Sequence, residues 1–245
     1  MSILKGRRAF VTGAAKGIGA AIARRLSAEG AEVVIVDRNV DLGEALAREI
    51  GNSARAIKLD VSDIEAMRSA VRDTGPFDIL VNNAGKDQHC FFTKSTVEEW
   101  RMLLGVNLDS VLASTHAALP AMQAKRYGRI VNIVSEAGRL GSKGGSVYAA
   151  SKGAVIAFTK SIARENAHFG ITANCIAPGP VETPLLLKAV EQGGDKLLQA
   201  MRTSTLVGRL GTPDEVAAAV AYFASEQAGF TTGETLGVSG GMYCA

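Results

Sequence analysis

The sequence predicts an α/β fold: a single doubly wound domain with a seven-stranded parallel sheet and helices on both faces. Three observations lead there. Short β-branched runs alternate with longer amphipathic stretches from end to end. The strand-like runs are apolar almost throughout, Val33-Val34-Ile35-Val36 above all, as strands buried on both faces are. A glycine-rich turn joins the first strand to the first helix.

Taken in order, Ala9-Phe10-Val11 is a strand, and residues 18–29, rich in Ala, Ile and Leu, follow as a helix. Residues 33–36 and 56–59 are the next strands, and a helix over 64–72 leads to the strand 79–81. Residues 96–122 read as one long helix, with Pro120 kinking its last turn. A fifth strand over 130–134, a long helix over 148–166 and a sixth strand over 171–177 continue the series. Residues 185–202 are helical but broken at Gly193-Gly194. Thr212 as N-cap and Pro213 in the first turn open a helix to Ala224, and Thr235 to Val238 closes the sheet. No linker or composition shift divides residues 1–245, so one domain is expected, with residues 178–207 as a mobile lid.

Composition narrows the function classes. At 47% hydrophobic and 21% charged residues the 245-residue chain is globular rather than disordered. Lys+Arg 27 against Asp+Glu 24 leaves +3 without any run of like charge, so no nucleic-acid or polybasic membrane partner is indicated. The longest apolar run, residues 216–224, falls short of the ~20 residues a membrane span needs. Cys90, Cys175 and Cys244 are widely spaced, which fits reduced thiols in a cytoplasmic protein and no metal site.

Thr12-Gly13-Ala14-Ala15-Lys16-Gly17-Ile18-Gly19 forms the first turn. Gly13 can take positive φ, while Gly17 and Gly19 let backbone approach a pyrophosphate at the positive end of the following helix. Asp37 lies 18 positions beyond Gly19, at the end of the next strand. A carboxylate there accepts both ribose hydroxyls of an adenosine and repels a 2′-phosphate, so NAD is favoured over NADP, against the counter-charges Lys16 and Arg38. An S-adenosylmethionine methyltransferase would use a similar loop.

The second half of the chain carries the chemistry. Tyr148 and Lys152 are four apart on a predicted helix and share a face. Ser135, 13 residues before Tyr148, ends the fifth strand at the carboxyl edge, where doubly wound sheets bind ligands. A phenol with a pKa of about 10 is a poor base at neutral pH. The neighbouring ammonium and a cationic nicotinamide should both favour its phenolate.

These residues, with Asn82-Asn83-Ala84-Gly85, Asn107, Tyr148-Ala149-Ala150-Ser151-Lys152, Pro178-Gly179 and Thr183, make the sequence resemble the short-chain dehydrogenase/reductase family. The resemblance runs from Thr12 to Gly240-Gly241. It implies a Rossmann fold, Tyr148 as acid/base, Ser135 as donor to the substrate oxygen, and Lys152 as partner of ribose and tyrosine. Asn107 would hold a water beside Lys152 in a proton relay. It also implies Asp60 and Val61 at the adenine, Asn83, Ala84 and Gly85 beneath the ribose, and Pro178, Gly179, Val181 and Thr183 around the nicotinamide. With Gly13, Lys16, Gly17, Ile18, Gly19 and Asp37, these are the expected cofactor contacts. A homotetramer is implied as well, with the long helices as one interface and Ala149, Ala150, Ala154, Ala157 and Ala163 allowing close packing.

The expected activity is oxidoreduction between a small secondary alcohol, such as a hydroxyacyl thioester or an alicyclic alcohol, and its ketone. The sequence is most similar to 3-oxoacyl-thioester reductases and alicyclic hydroxyacyl-CoA dehydrogenases. Arg126 matches one basic position by which carrier-protein reductases dock an acidic carrier, but Phe169 stands where the second is common. With Asp37, this ranks an NAD-linked alcohol dehydrogenase above an NADPH-dependent 3-oxoacyl-carrier-protein reductase. A non-catalytic dinucleotide sensor is disfavoured, since Ser, Tyr and Lys are all retained. Residues 86–92, 136–146 and 181–207 should rim the pocket. His89 shows no partner in sequence and reads as a surface residue, and Leu185-Leu186-Leu187 either cover an apolar substrate or pack the lid.

Overall fold

The chain forms β1 (Arg8–Thr12), α1 (Gly17–Ala28), β2 (Glu32–Asp37), α2 (Val40–Ile50), β3 (Ala54–Lys58), α3 (Ile64–Thr74) and β4 (Ile79–Asn82) in its first third. α4 (Val97–Leu104), a π-helical segment (Gly105–Asp109), α5 (Ser110–Lys125), β5 (Gly128–Ile133), α6 (Ala137–Leu140) and α7 (Ser146–Asn166) follow. β6 (Ile171–Pro178), α8 (Pro184–Thr203), α9 (Pro213–Ala224) and β7 (Thr235–Val238) complete it. The computed structural model describes residues 2–244; the side chains of residues 185, 188, 189, 192 and 193 lie outside the described set, Leu185 and Gly193 of the sequence reading among them.

All seven strands are parallel, in the order β3-β2-β1-β4-β5-β6-β7. The order reverses between β1 and β4, and Val11 pairs with Ile35 on one side and Val81 on the other. At such a reversal the loops leaving the two strands turn to opposite faces and open a crevice.

Alternation along each strand builds two cores. Val11, Ile35, Val131 and Ile176 pack beneath Ile22 and Leu26 of α1 and Val216, Val220 and Phe223 of α9. Phe10, Val34, Leu80 and Ile130 face the other way, against Met67 and Val71 of α3, Ala118 and Met122 of α5, and Ile162 of α7. Each fully buried large side chain contributes about 1.5–3 kcal/mol, so the helices are fixed by the sheet more than by propensity.

Four differences from the sequence reading have physical reasons. α2 was not expected, although Leu42, Leu46 and Ile50 repeat at every fourth position; it follows closely on β2, and its start is set by the Asn39 side chain accepting the Leu42 N–H (3.2 Å). α6 is a four-residue turn, too short to leave a periodicity. The helix expected over residues 96–122 is divided by the π segment at Gly105–Asp109, where Gly105, Val106, Asn107 and Asp109 are all weak helix formers. Pro120 is held within α5, which ends where Arg126 turns left-handed (φ 52). Together Val97–Lys125 are long and apolar enough to cross a bilayer, but they pack against α3 and α7 as a layer of the fold. The break expected in α8 falls at Gly194, whose φ of 69 no helix accommodates.

Candidate active site

The crevice is built by a clasp between the loops after β1 and β4. The Thr12 hydroxyl accepts the N–H groups of Asn83 and Ala84, each at 3.0 Å. The Asn83 carboxamide returns the contact, donating to the carbonyls of Thr12 (2.9 Å) and Gly13 (3.0 Å). The glycines are what permits it. A Cβ on Gly13 (φ +61) would lie 2.8 Å from Ala84 Cα, and one on Gly19 would lie 2.2 Å from the Gly13 carbonyl oxygen. Gly17 (φ +56) leaves room beside Thr183 and Pro184.

α1 begins after Lys16, whose side chain provides no cap, so its first-turn N–H groups are open to an anion. Ile18 is half-buried against the adjoining core. A cradle that side chains would fill, at the N-terminus of a helix, fits a dinucleotide pyrophosphate.

At the end of β2, Asp37 is half-buried, and its two carboxylate oxygens accept the N–H groups of Ala15 (3.1 Å) and Asn39 (3.0 Å). The charge is thereby fixed beside the cradle. Lys16 and Arg38 are exposed. Arg38 acts on Asp60, whose carboxyl is held below its ordinary range mainly by hydrogen bonds from Ser62 and partly by this cation. The Asp60 side chain is folded into its own turn, accepting from Ser62 N (3.0 Å) and Oγ (2.6 Å), while Val61 is buried beside it.

The expected catalytic residues converge at the carboxyl edge of β5. Lys152 is 4% exposed, and its Nζ donates to the Ile133 carbonyl at 2.9 Å. The same Nζ lies 5.9 Å from the centre of the Tyr148 ring. A Cβ on Gly85 would stand 3.4 Å from both Lys152 Nζ and Asn107 Oδ1, so these three residues meet at one point. Asn107 is fully buried on the π segment, and both atoms of its carboxamide are taken by the Lys86 backbone: Oδ1 accepts its N–H (2.8 Å) and Nδ2 donates to its carbonyl (2.9 Å). A water relay at Asn107 would therefore use its main chain. The Ser135 hydroxyl also accepts the Ala137 N–H at 3.2 Å and so tethers the start of α6.

In the protein alone, without the cationic nicotinamide of the expectation, the Tyr148 phenol is pushed up to about 12 by burial, with the Ser135 hydrogen bond pulling it down and the charge of Asp87 pushing it further up. The Lys152 ammonium is turned to the Ile133 carbonyl. Burial in turn lowers Lys152 from 10.5 to about 8, opposed by the charges near Cys175 and Asp87. His89 does have a partner: its Nε2 is 3.6 Å from Asp87 Oδ2 at the rim.

Around the other lip, Pro178 ends β6, and Gly179 lets Ser239 approach to 2.9 Å of a Cβ position. Val181 is buried and bridges to Gly211. Thr183 caps α8 by accepting the Leu186 N–H at 3.2 Å.

Sequence reasoning missed a buried polar chain under the site. Ser114 donates to Asn82 (2.7 Å), Asn82 to Asn132 (2.8 Å), and Asn132 to the Thr159 hydroxyl (2.8 Å), which also accepts from Cys175 Sγ (3.1 Å). Asn82 and Asn132 are register partners on β4 and β5, so an Asn at the same depth of two successive strands was the available signal. Gln88 and Glu136 fall within the expected rim segments but were given no role of their own; both are buried, and Glu136 is 3.4 Å from Arg139.

A glycine cradle, a fixed acidic residue and a Ser–Tyr–Lys cluster on one edge of a parallel sheet define a nicotinamide-dinucleotide oxidoreductase. A family model described as "Enoyl-(Acyl carrier protein) reductase" matches residues 13–243. The chain belongs to that family, within the short-chain dehydrogenases/reductases. It is 42% identical over 248 residues to the 3-oxoacyl-[acyl-carrier-protein] reductase FabG of Vibrio cholerae, covering 98% of each chain. Among solved structures, it is similar to a 3-oxoacyl (acyl-carrier-protein) reductase of Agrobacterium tumefaciens with NADP bound (34% identity, TM-score 0.92, 97% and 95% of the two chains). It is also similar to a putative NAD(P)-dependent gluconate 5-dehydrogenase of Beutenbergia cavernae with NADP at low occupancy (35% identity, TM-score 0.93, 98% and 97%).

The buried ammonium predicts a pH signature in stability. Because Lys152 falls from 10.5 in the unfolded chain to about 8 in the native one, the unfolded state binds the extra proton between those values. The burial penalty is thus fully present below about 8 and relieved as pH rises through 10.5. Lys152→Met should melt at or above the wild-type temperature at pH 7, and the gap should close toward pH 10. A melting temperature below wild type at pH 7 would mean the Ile133 hydrogen bond outweighs desolvation.

Proposed function

We propose that the protein reduces a 3-oxoacyl thioester to the 3-hydroxyacyl thioester, with Tyr148 as acid, Ser135 as donor to the carbonyl oxygen and Lys152 as the buried cation through which a proton is returned to the phenolate. The observation that carries this reading is the convergence of Ser135, Tyr148 and Lys152 at the carboxyl edge of β5, with Ser135 hydrogen-bonded to the phenol. The phenol is protonated at neutral pH, the state from which a carbonyl is reduced. The carrier-protein reductases at about 40% identity support the same substrate class, which the sequence reading had ranked second.

The dinucleotide, when bound, supplies the hydride. The chain's own residues do the rest. Gly13, Lys16, Gly17, Ile18 and Gly19 hold the pyrophosphate; Asp37, Asp60 and Val61 face the adenosine, with Asn83, Ala84 and Gly85 under its ribose. Pro178, Gly179, Val181 and Thr183 border the nicotinamide, within a lid formed by residues 178–207. Ser135 and Tyr148 orient the carbonyl oxygen together. Lys152 and the main chain of Asn107 return a proton to the phenolate from solvent.

Asp37 supports NADH as the donor, because a carboxylate fixed at the end of β2 would repel a 2′-phosphate. A second reading, NADPH, is supported by the NADP found in two structural neighbours. Arg126 is exposed and donates to the His168 carbonyl (2.8 Å), adjoining half-buried Phe169. One cation rather than two supports a looser hold on an acidic carrier. We read the protein as cytoplasmic and tetrameric through the α4–α5 and α7 helices. Of the small residues expected there, Ala150 and Ala157 are exposed, while Ala149 and Ala163 are buried within the chain and offer nothing to a partner.

Two measurements test the reading. With acetoacetyl-CoA as the thioester, Tyr148→Phe should bind dinucleotide within a few-fold of wild type and lose about 100- to 10,000-fold in turnover; near-normal turnover would remove Tyr148 as the acid. Comparing kcat/KM for NADH and NADPH should favour NADH by about tenfold, equivalent to 1.4 kcal/mol at the Asp37 carboxylate. Equal values, or a preference for NADPH, would establish the second reading.

A further inference from the structure

The helix that carries Tyr148 starts without a cap of its own. Its N-cap residue is Gly145, which has no side chain to turn back on the first turn. The N–H groups of Val147 and Tyr148 are nonetheless satisfied. Both donate to a single oxygen, the Oε1 of Gln88, at 2.9 and 3.3 Å. Gln88 comes from the loop after β4, is only 8% exposed, and lies 60 positions from Tyr148 in sequence.

The loop is itself anchored. The Gln88 N–H donates to Asp87 Oδ1 (2.7 Å), its Nε2 reaches Cys90 Sγ (3.8 Å), and the Cys90 N–H donates to the Gly144 carbonyl (2.9 Å). Gly145 is buried beneath this contact, and a Cβ there would sit 2.8 Å from Ser142 Oγ and 3.6 Å from the Gln88 carbonyl. A side chain at 145 would crowd Ser142, and with glycine there the cap comes from elsewhere.

We propose that Gln88 is a positioning residue for Tyr148, capping the catalytic helix from outside and fixing the phenol through the first turn of α7. The proposal rests on Tyr148 being the acid/base group. An N-cap side chain ordinarily accepts from the second or third helical N–H; here Val147 and Tyr148 hold those positions, since the helix begins at Ser146. The backbone of the reacting residue is therefore one of the two groups that Gln88 holds. Without that acceptor the first turn loses its fixed register, and the phenol oxygen moves relative to Ser135 and the substrate. Displacement on the ångström scale is enough to cost large factors in rate. Because Gln88 lies among the residues expected to rim the pocket, a substrate that shifts the loop shifts Tyr148 with it.

The test uses the full-length protein and acetoacetyl-CoA. Gln88→Met, close in shape but lacking the acceptor, should lower kcat about 10- to 100-fold and leave dinucleotide affinity within twofold. Gln88→Glu, whose carboxylate oxygen can accept the same two N–H groups, should recover most of that loss. Should the methionine variant fold poorly, Gln88→Asn draws the oxygen back by one methylene and should show the same fall in kcat. In a Tyr148→Phe background, Gln88→Met should cost nothing further, because the group it positions is gone. A Met or Asn variant that is less heat-stable but keeps wild-type kcat would overturn the proposal, as would a glutamate variant no better than methionine. Those results leave the acid/base assignment standing; it falls only if Tyr148→Phe itself keeps turning over.

Discussion

An ammonium group that is almost wholly removed from water sits at the carboxyl edge of β5, held by the Ile133 carbonyl at 2.9 Å. Burying an unpaired cation is costly, and the surroundings show what is arranged to tolerate it. Gly85 passes beside it without a side chain, where a Cβ would stand 3.4 Å from the Lys152 nitrogen. Gly138 lets α6 lie directly on the Lys152 backbone, where a Cβ would come within 2.9 Å of its carbonyl carbon. The π segment brings Asn107 to the same point while its carboxamide fixes Lys86. The asparagine and threonine side chains of β4, β5 and α7 use their buried polar capacity on one another, so the strands beneath the cation are cross-tied by hydrogen bonds as well as by packing.

The consequence is a division between two titrating groups. Burial raises the phenol to about 12 and lowers the amine to about 8, so their ordinary values of 10.0 and 10.5 are pushed apart in opposite senses. The tyrosine is kept as a proton donor, and the lysine is brought to where it can exchange a proton near physiological pH. Asp87 at the rim acts on both, favouring the protonated form of each. Alcohol oxidation releases a proton, so alkaline conditions favour that direction whichever group carries the proton.

Most of the architecture was legible because a parallel sheet declares itself: strands buried on both faces leave apolar runs, and the crossover helices between them leave amphipathic ones. The elements that escaped are short or lie inside longer patterns. α2 carries its Leu42-Leu46-Ile50 stripe on a short helix close behind β2, α6 is a single turn, and the weak helix formers of the π insertion interrupt a longer helical pattern without ending it. At the site, Tyr148, Lys152 and Ser135 were readable from spacing, and the glycine loop from its position. Two things were not readable from one strand at a time. The direction of the tyrosine shift depends on how far the folded chain buries the phenol, which several elements decide together. The Gln88 cap depends on two loops meeting whose residues lie about sixty positions apart. Asn83 shows the overlap of roles, since it clasps the phosphate loop while lying where a ribose contact is expected.

The central claim, that the fold itself holds Lys152 as a buried and weakened cation, can be read directly by following the side-chain nitrogen and ε-carbon of isotope-labelled lysine through a pH titration by NMR. Lys152, assigned by its loss in Lys152→Met, should titrate near 8 while the exposed lysines titrate near their ordinary value of about 10.4. A Lys152 resonance that titrates with the exposed lysines would contradict the account, since neither its burial nor its separation from the phenol would then be shaping the chemistry of the site.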